Sequence, residues 1–201
     1  MSEDFFANAP ENYEVPKGEG RYMKFEAGAN KFRILEKPVF GWEAWKAGED
    51  GKDKPVRFRM SEKPNDLRPF RNSRLNHFWA MPVWNFKTKR IEILEITQKT
   101  ILAAIENLAR SEDWGSPLGY SLTVTKEGST KEDTRYHVAP SPHQPLPDEV
   151  KNAFAVVQEE GFDLNAIYDG GDPFNPSQTS QNAPQDAEMP EYEADTEEPT
   201  D

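Results

Sequence analysis

Over most of residues 20–140 hydrophobic positions alternate with polar ones, and the helical period shows clearly in only two places. Between Lys31 and Trp45, Phe32 and Ile34, then Phe40, Trp42 and Ala44, occupy alternate positions, and Pro38 marks a bulge or break between the two halves. In "PVRFRM", Val56 and Phe58 point one way and Arg57 and Arg59 the other. "HFWAMPVWNF" and "RIEILEIT" read as a hairpin turned near "KTK", with Phe78, Ala80, Pro82, Trp84 and Phe86 on one face and His77, Trp79, Met81 and Val83 on the other. A second hairpin is expected in "YSLTVTKEGSTKEDTRYHVAP", looping near Gly128. Ile101, Ala104, Ile105 and Leu108 keep the 3.6-residue period, which predicts a helix capped by Thr97 and ended by Gly115. "PDEVKNAFAVVQEEG" predicts a second helix with Asp148 as its cap. Residues 61–76 form a polar, basic loop, long enough to suggest a function. Strands, helix, hairpin and helix in that order predict a mainly β fold with two helices (α+β), an OB-fold-like barrel of about five strands.

Charge divides the chain. The net charge of -12 over 201 residues hides a body that is basic and a tail that is acidic. Residues 52–90 hold eleven cations against three acids, whereas 172–201 hold nine acids and neither Lys nor Arg. The tail is rich in Pro, Ser, Thr, Asn and Gln and has few large apolar groups, so disorder is expected there. The organisation predicted is an irregular arm over 1–19, one domain over 20–171 and a disordered acidic tail over 172–201. With no cysteine, disulfides, thiol catalysis and cysteine-based zinc sites are excluded. The acidic N-terminus lacks an apolar core, so no signal peptide is expected. No apolar run approaches the roughly 18 residues of a membrane span. A cytoplasmic location, without membrane association, is the expectation.

"HFWAMPVWNFKTKR" concentrates rings and cations with no acid among them. A single nucleic-acid strand requires cations along its phosphates and flat apolar faces for its bases, each stacked base contributing about 1–3 kcal/mol. The residues of that type are Trp42, Trp45, Phe58, Phe70, Trp79 and Trp84, with Arg57, Arg59, Arg68, Arg71, Arg74, Lys87, Lys89 and Arg90. A groove floored by strands over 31–45, 56–60 and 77–96 and covered by the 61–76 loop would unite them. Because both faces of 77–86 carry a Trp, at least one of these rings belongs to the core. Glu92 and Glu95 read as the outer face of a strand. No phosphate loop, HExxH or nucleophile elbow is present, and no enzyme, metal or cofactor is expected.

"YMKFEAGANKFRIL", "VFGWEAW", "HFWAMPVWNF", "IEILEITQKTI" and "WGSPLGYSLTVTKEG" together resemble a family of bacteriophage single-stranded DNA-binding proteins, over about residues 20–175. The resemblance implies an OB-fold body that coats exposed single-stranded DNA during replication, recombination and repair. It also implies an acidic tail that occupies the empty groove and recruits replication proteins such as DNA polymerase. In this chain that role would fall to Asp186, Glu188, Glu191, Tyr192, Glu193, Asp195, Glu197, Glu198 and Asp201. Two departures stand out. The chain lacks the cysteines of the zinc subdomain found in some such proteins, and its tail ends "EEPTD" rather than in Phe. An exposed edge strand would permit a homo-oligomer on DNA. The alternative reading is a non-enzymatic β-barrel adaptor for protein partners in a phage or host complex.

Overall fold

A computed structural model describes residues 21–48, 51–71, 74–130 and 132–176; the expected arm over 1–19 and tail residues 177–201 lie outside them. The fold is mixed α+β. The strands are β1 (Tyr22–Met23), β2 (Gly28–Ile34), β3 (Val39–Ala47), β4 (Asp53–Arg59), β5 (Asn76–Asn85), β6 (Arg90–Ile96), β7 (Ser121–Glu127) and β8 (Arg135–Pro140). Helix α1 (Lys99–Arg110) joins β6 to β7, and α2 (Asp148–Glu159) follows β8. Eight strands thus stand where about five were expected, because Pro38 splits the first long run and short pieces flank it. The strands form one open sheet, and no pairing between β6 and β8 closes it among the described residues.

Strand β5 is the shared element. One edge pairs with β6, from Trp79↔Ile96 to Asn85↔Arg90. The other edge takes β3 over 76–80 and β2 over 83–85, so the sheet forks there into a β3–β4 branch and a β2–β7–β8 branch. Pro82 sits at the fork. Its carbonyl accepts the Leu35 N–H at 3.0 Å. Its missing N–H would point the same way, into the gap between β2 and β3, where no strand carbonyl needs a donor.

Both sheet faces are covered. On the first face Phe32, Ile34, Met81, Val83, Leu94, Ile96, Leu122 and Val124 pack beneath Ile101, Leu102 and Ile105 of α1. On the second face Phe78, Ala80, Trp84, Ile91 and Ile93 pack beneath Val150 of α2 and beneath Leu164, Ile167 and Phe174. This double cover overturns the outward placement of Glu92 and Glu95. Glu92 is buried and accepts bonds from Asn85 and Thr88, each at 2.8 Å. Phe174 is also buried, with the Arg21 guanidinium 4.4 Å from its ring, so residues 172–176 belong to the body and not to the tail. Two expected caps are displaced. Gln98, not Thr97, precedes α1, and Asp148 is the first residue of α2, after Pro147. Gly115 lies beyond the end of α1, in a left-handed turn.

A charged cluster is buried in the second face. The Arg57 Nε lies 2.7 Å from Glu95, and its guanidinium also lies 3.7 Å from Glu43. Trp45 Nε1 donates to Glu43 at 3.1 Å. Burial, the Glu95 charge and the hydrogen bond between the two carboxyls push Glu43 well above the usual carboxylate range. Burial would raise Glu95 too, but the Arg57 charge and the bonds from Glu43 and Arg57 outweigh it and lower its pKa. Burial would lower Arg57, yet the two carboxylates and Tyr22 raise it. Desolvation lifts the neighbouring Tyr22 phenol to about 12. One proton and one cation therefore satisfy two carboxyls.

Three substitutions test how the cluster and the second core hold the fold. Because Glu43 titrates higher folded than unfolded, wild-type stability falls as pH rises from the unfolded carboxylate range toward the folded value. Glu43→Gln keeps an acceptor for Trp45 and a donor for Glu95 without that loss. In urea unfolding it should match wild type in acid and exceed it at about pH 8. Glu95→Gln leaves Arg57 without its closest anion and should cost about 3–5 kcal/mol in the same measurement. Trp84→Ala empties part of the second core and should also cost about 3–5 kcal/mol.

Candidate nucleic-acid interface

Where β3, β4 and the start of β5 run beyond α1, the first face carries rings. The β3–β5 register sets Phe40 opposite Trp79 and Trp42 opposite His77, and the β3–β4 register sets Trp42 opposite Phe58. Phe40 is 43% exposed and meets Trp79 edge to face, with centroids 5.4 Å apart. Trp42 tilts against His77 at 5.3 Å, and Phe58 meets Phe70 of the following loop edge to face at 5.7 Å. Trp42, Phe58, Phe70 and Trp79 are all half-buried. Alternation along each strand produces this: β-branched or aromatic residues at every second position share a face whatever their final use. Gly41 is fixed by packing on the other face. A Cβ there would lie 2.3 Å from the Phe58 carbonyl oxygen and 2.7 Å from the Phe78 ring.

Cations border the rings. Lys63 Nζ lies 4.3 Å over the Trp42 ring. Lys46 and Lys54, both exposed, stand directly opposite each other on the same face as Trp42 and Phe58. Arg71 reaches Asp53 at 2.9 Å, and Arg68 grips Asp66 through two bonds of 2.8 and 2.9 Å. Those two bonds lower the Asp66 pKa. Arg74 is exposed just before β5. The loop thus touches the ring face through Lys63 and Phe70.

Trp42, Phe58, Phe70 and Trp79 lie on one surface, and Arg68, Arg71 and Arg74 belong to the segment beside it, where Arg68 holds Asp66 and Arg71 holds Asp53. The structure separates the others. Trp45, 4% exposed, is buried beside Glu43 on the opposite face. Trp84, 6% exposed, belongs to the second core. The Arg57 side chain is 6% exposed and engaged by Glu43 and Glu95, so it reaches no phosphate. Arg59 lies on the opposite face, 4.4 Å over the Tyr168 ring. The Tyr168 phenol is raised by burial, with Arg59 pulling the other way, and it donates to the Phe40 carbonyl at 2.7 Å. Lys87, Lys89 and Arg90 sit at the far end of β5, about nine residues and roughly 30 Å along the strand from His77. There Lys87 pairs with Glu26 and Arg90 with Glu92. Alternation alone could have separated Arg57 and Arg59 from Phe58. Phe40, Lys46, Lys54, Lys63 and His77 were missed as site residues. For Phe40 the signal was its place in step with Trp42.

This surface offers stacking faces and cations. Among the described residues no helix is long and apolar enough to cross a membrane. Comparison of the chain with family models, with curated proteins and with solved structures found no match.

Proposed function

We propose that the protein binds single-stranded DNA without sequence preference, in phage DNA replication, recombination and repair, through the ring face of β3, β4 and β5. The observation that carries this reading is the set of rings at and near the surface, Phe40, Trp42, Phe58, Phe70 and Trp79, edged by Lys46, Lys54 and Lys63. Base stacking supplies affinity independent of sequence, and the cations follow the phosphates.

Connectivity supports an OB-fold version of this reading. The path β6–β5–β2–β7–β8, with α1 between β6 and β7, has the strand order of a partly open Greek-key barrel in which β2 and β3 together form the first strand. In that correspondence β4 and the 60–75 loop belong to the connection between first and second strands, one of the places where OB-folds hold oligonucleotides. The residues from 177 onward, with eight acids and no cations, act as a tethered competitor for the cationic face and as a lure for replication proteins.

The test is tryptophan fluorescence during titration with oligo-dT and with a duplex of equal length. Strong quenching by the single strand and a weak response to the duplex are expected. Absence of quenching by either at low salt would overturn the reading and leave the face to a protein partner. Phe40→Ala should weaken oligo-dT binding by about 1–3 kcal/mol. Its unfolding free energy should move by far less than that of Trp84→Ala. Deleting 177–201 should tighten binding most at low salt and little above about 0.5 M, where charges beyond a few ångströms are screened. An equal gain at both salts would exclude the competitor role.

A further inference from the structure

His77 lies at the centre of the ring face, and its bonds define its protonation. The Trp79 indole Nε1–H has only a proton to offer, and it lies 3.1 Å from His77 Nε2, which must therefore accept. The proton of a neutral imidazole then resides on Nδ1, which lies 2.9 Å from the Gly41 carbonyl oxygen, an atom that can only accept. Both bonds are satisfied by one tautomer and by no other. The chain continues outward. Trp79, held by His77, meets the exposed Phe40 ring edge to face, and Trp42 leans on the imidazole itself.

We propose that His77 is the positioning residue of this face: as the neutral Nδ1–H tautomer it accepts the Trp79 indole N–H and so sets the Trp79–Phe40 pair for stacking on bases. The inference rests on the nucleic-acid reading. A second proton on the imidazole turns Nε2 into a donor facing another donor, so the indole must turn away. On its own strand His77 meets Trp79, and from β3 it meets the Gly41 carbonyl and the Trp42 ring. The charge across Trp42 is the Lys63 ammonium, and Lys46 and Lys54 follow on the same face. No carboxylate bonds or pairs with His77 among the described residues. Histidine changes charge between about pH 5 and 8. The sign is diagnostic. Added positive charge on the protein, and loss of negative charge from its tail, should tighten DNA binding in acid, whereas a lost stacking pair should weaken it.

The experiment measures oligo-dT affinity of the full chain from about pH 8 down to about pH 5, since thymine does not titrate there, together with the indole N–H resonances of the free protein. The wild type should bind about tenfold more weakly at the acid end. The Trp79 indole resonance should move with the same midpoint. His77→Gln, which presents a carbonyl and an amide but does not titrate, should retain neutral-pH affinity and lose that acid weakening. His77→Phe, which keeps a ring against Trp42 but has no acceptor, should bind weakly at every pH. Affinity that is flat or rises in acid while the indole resonance titrates overturns the inference and leaves the nucleic-acid reading intact. Tight, pH-independent binding by His77→Phe does the same. Absence of oligo-dT binding at any pH overturns both.

Discussion

A guanidinium on β4 bonds a carboxylate on β6, although β3 and β5 lie between them. Neighbouring strands are about 4.8 Å apart, and the registers set Arg57 level with Asn76 but Glu95 level with Ala80, so in a flat sheet the two attachment points would be roughly 14 Å apart across the strands and about 13 Å apart along them. The 2.7 Å contact requires these four strands to coil toward the second face. Curling toward one face spreads the side chains on the other. The rings of Phe40, Trp42 and Phe58 stand on that spread side, beyond the cover of α1, so they stay accessible instead of closing into a core. The surface therefore depends on a charge cluster that it never touches.

That cluster is not a large source of stability. Removing a cation and two carboxyls from water costs several kcal/mol per ion, which their attraction roughly repays. Its contribution is geometric. Arg57 has one place where both Glu43 and Glu95 can be reached, and a slip of β4 by one residue would send it to the other face. The same slip would carry Lys54, Val56 and Phe58, which share a face, to the covered side. Registry and ring display are thus set together, by a requirement that a buried charge meet its partner.

Much of the local structure was legible along the chain. The alternation around Pro38, the 77–96 hairpin with its two faces, the second hairpin and both helices all lie where the hydrophobic pattern puts them. The use of each face was not legible. A strand covered on one side exposes its polar positions, but β6 is covered on both, so Glu92 and Glu95 are drawn inside and take partners there. For the same reason Trp84 and Trp79, five residues apart, end in different cores, and only one of them stays within reach of the surface.

By itself the sequence determined which residues share a strand face, where the chain turns, and that cations and rings are concentrated together away from acids. These are local properties, set by the two-residue period of a strand, by proline and by charge count. Tertiary structure decided which face α1 would leave uncovered, which arginines would be consumed by buried carboxylates, and that the two ends of β5 would carry separate basic groups. Such outcomes depend on which distant segments pack against each other, and residue spacing along one strand holds no record of what will cover it.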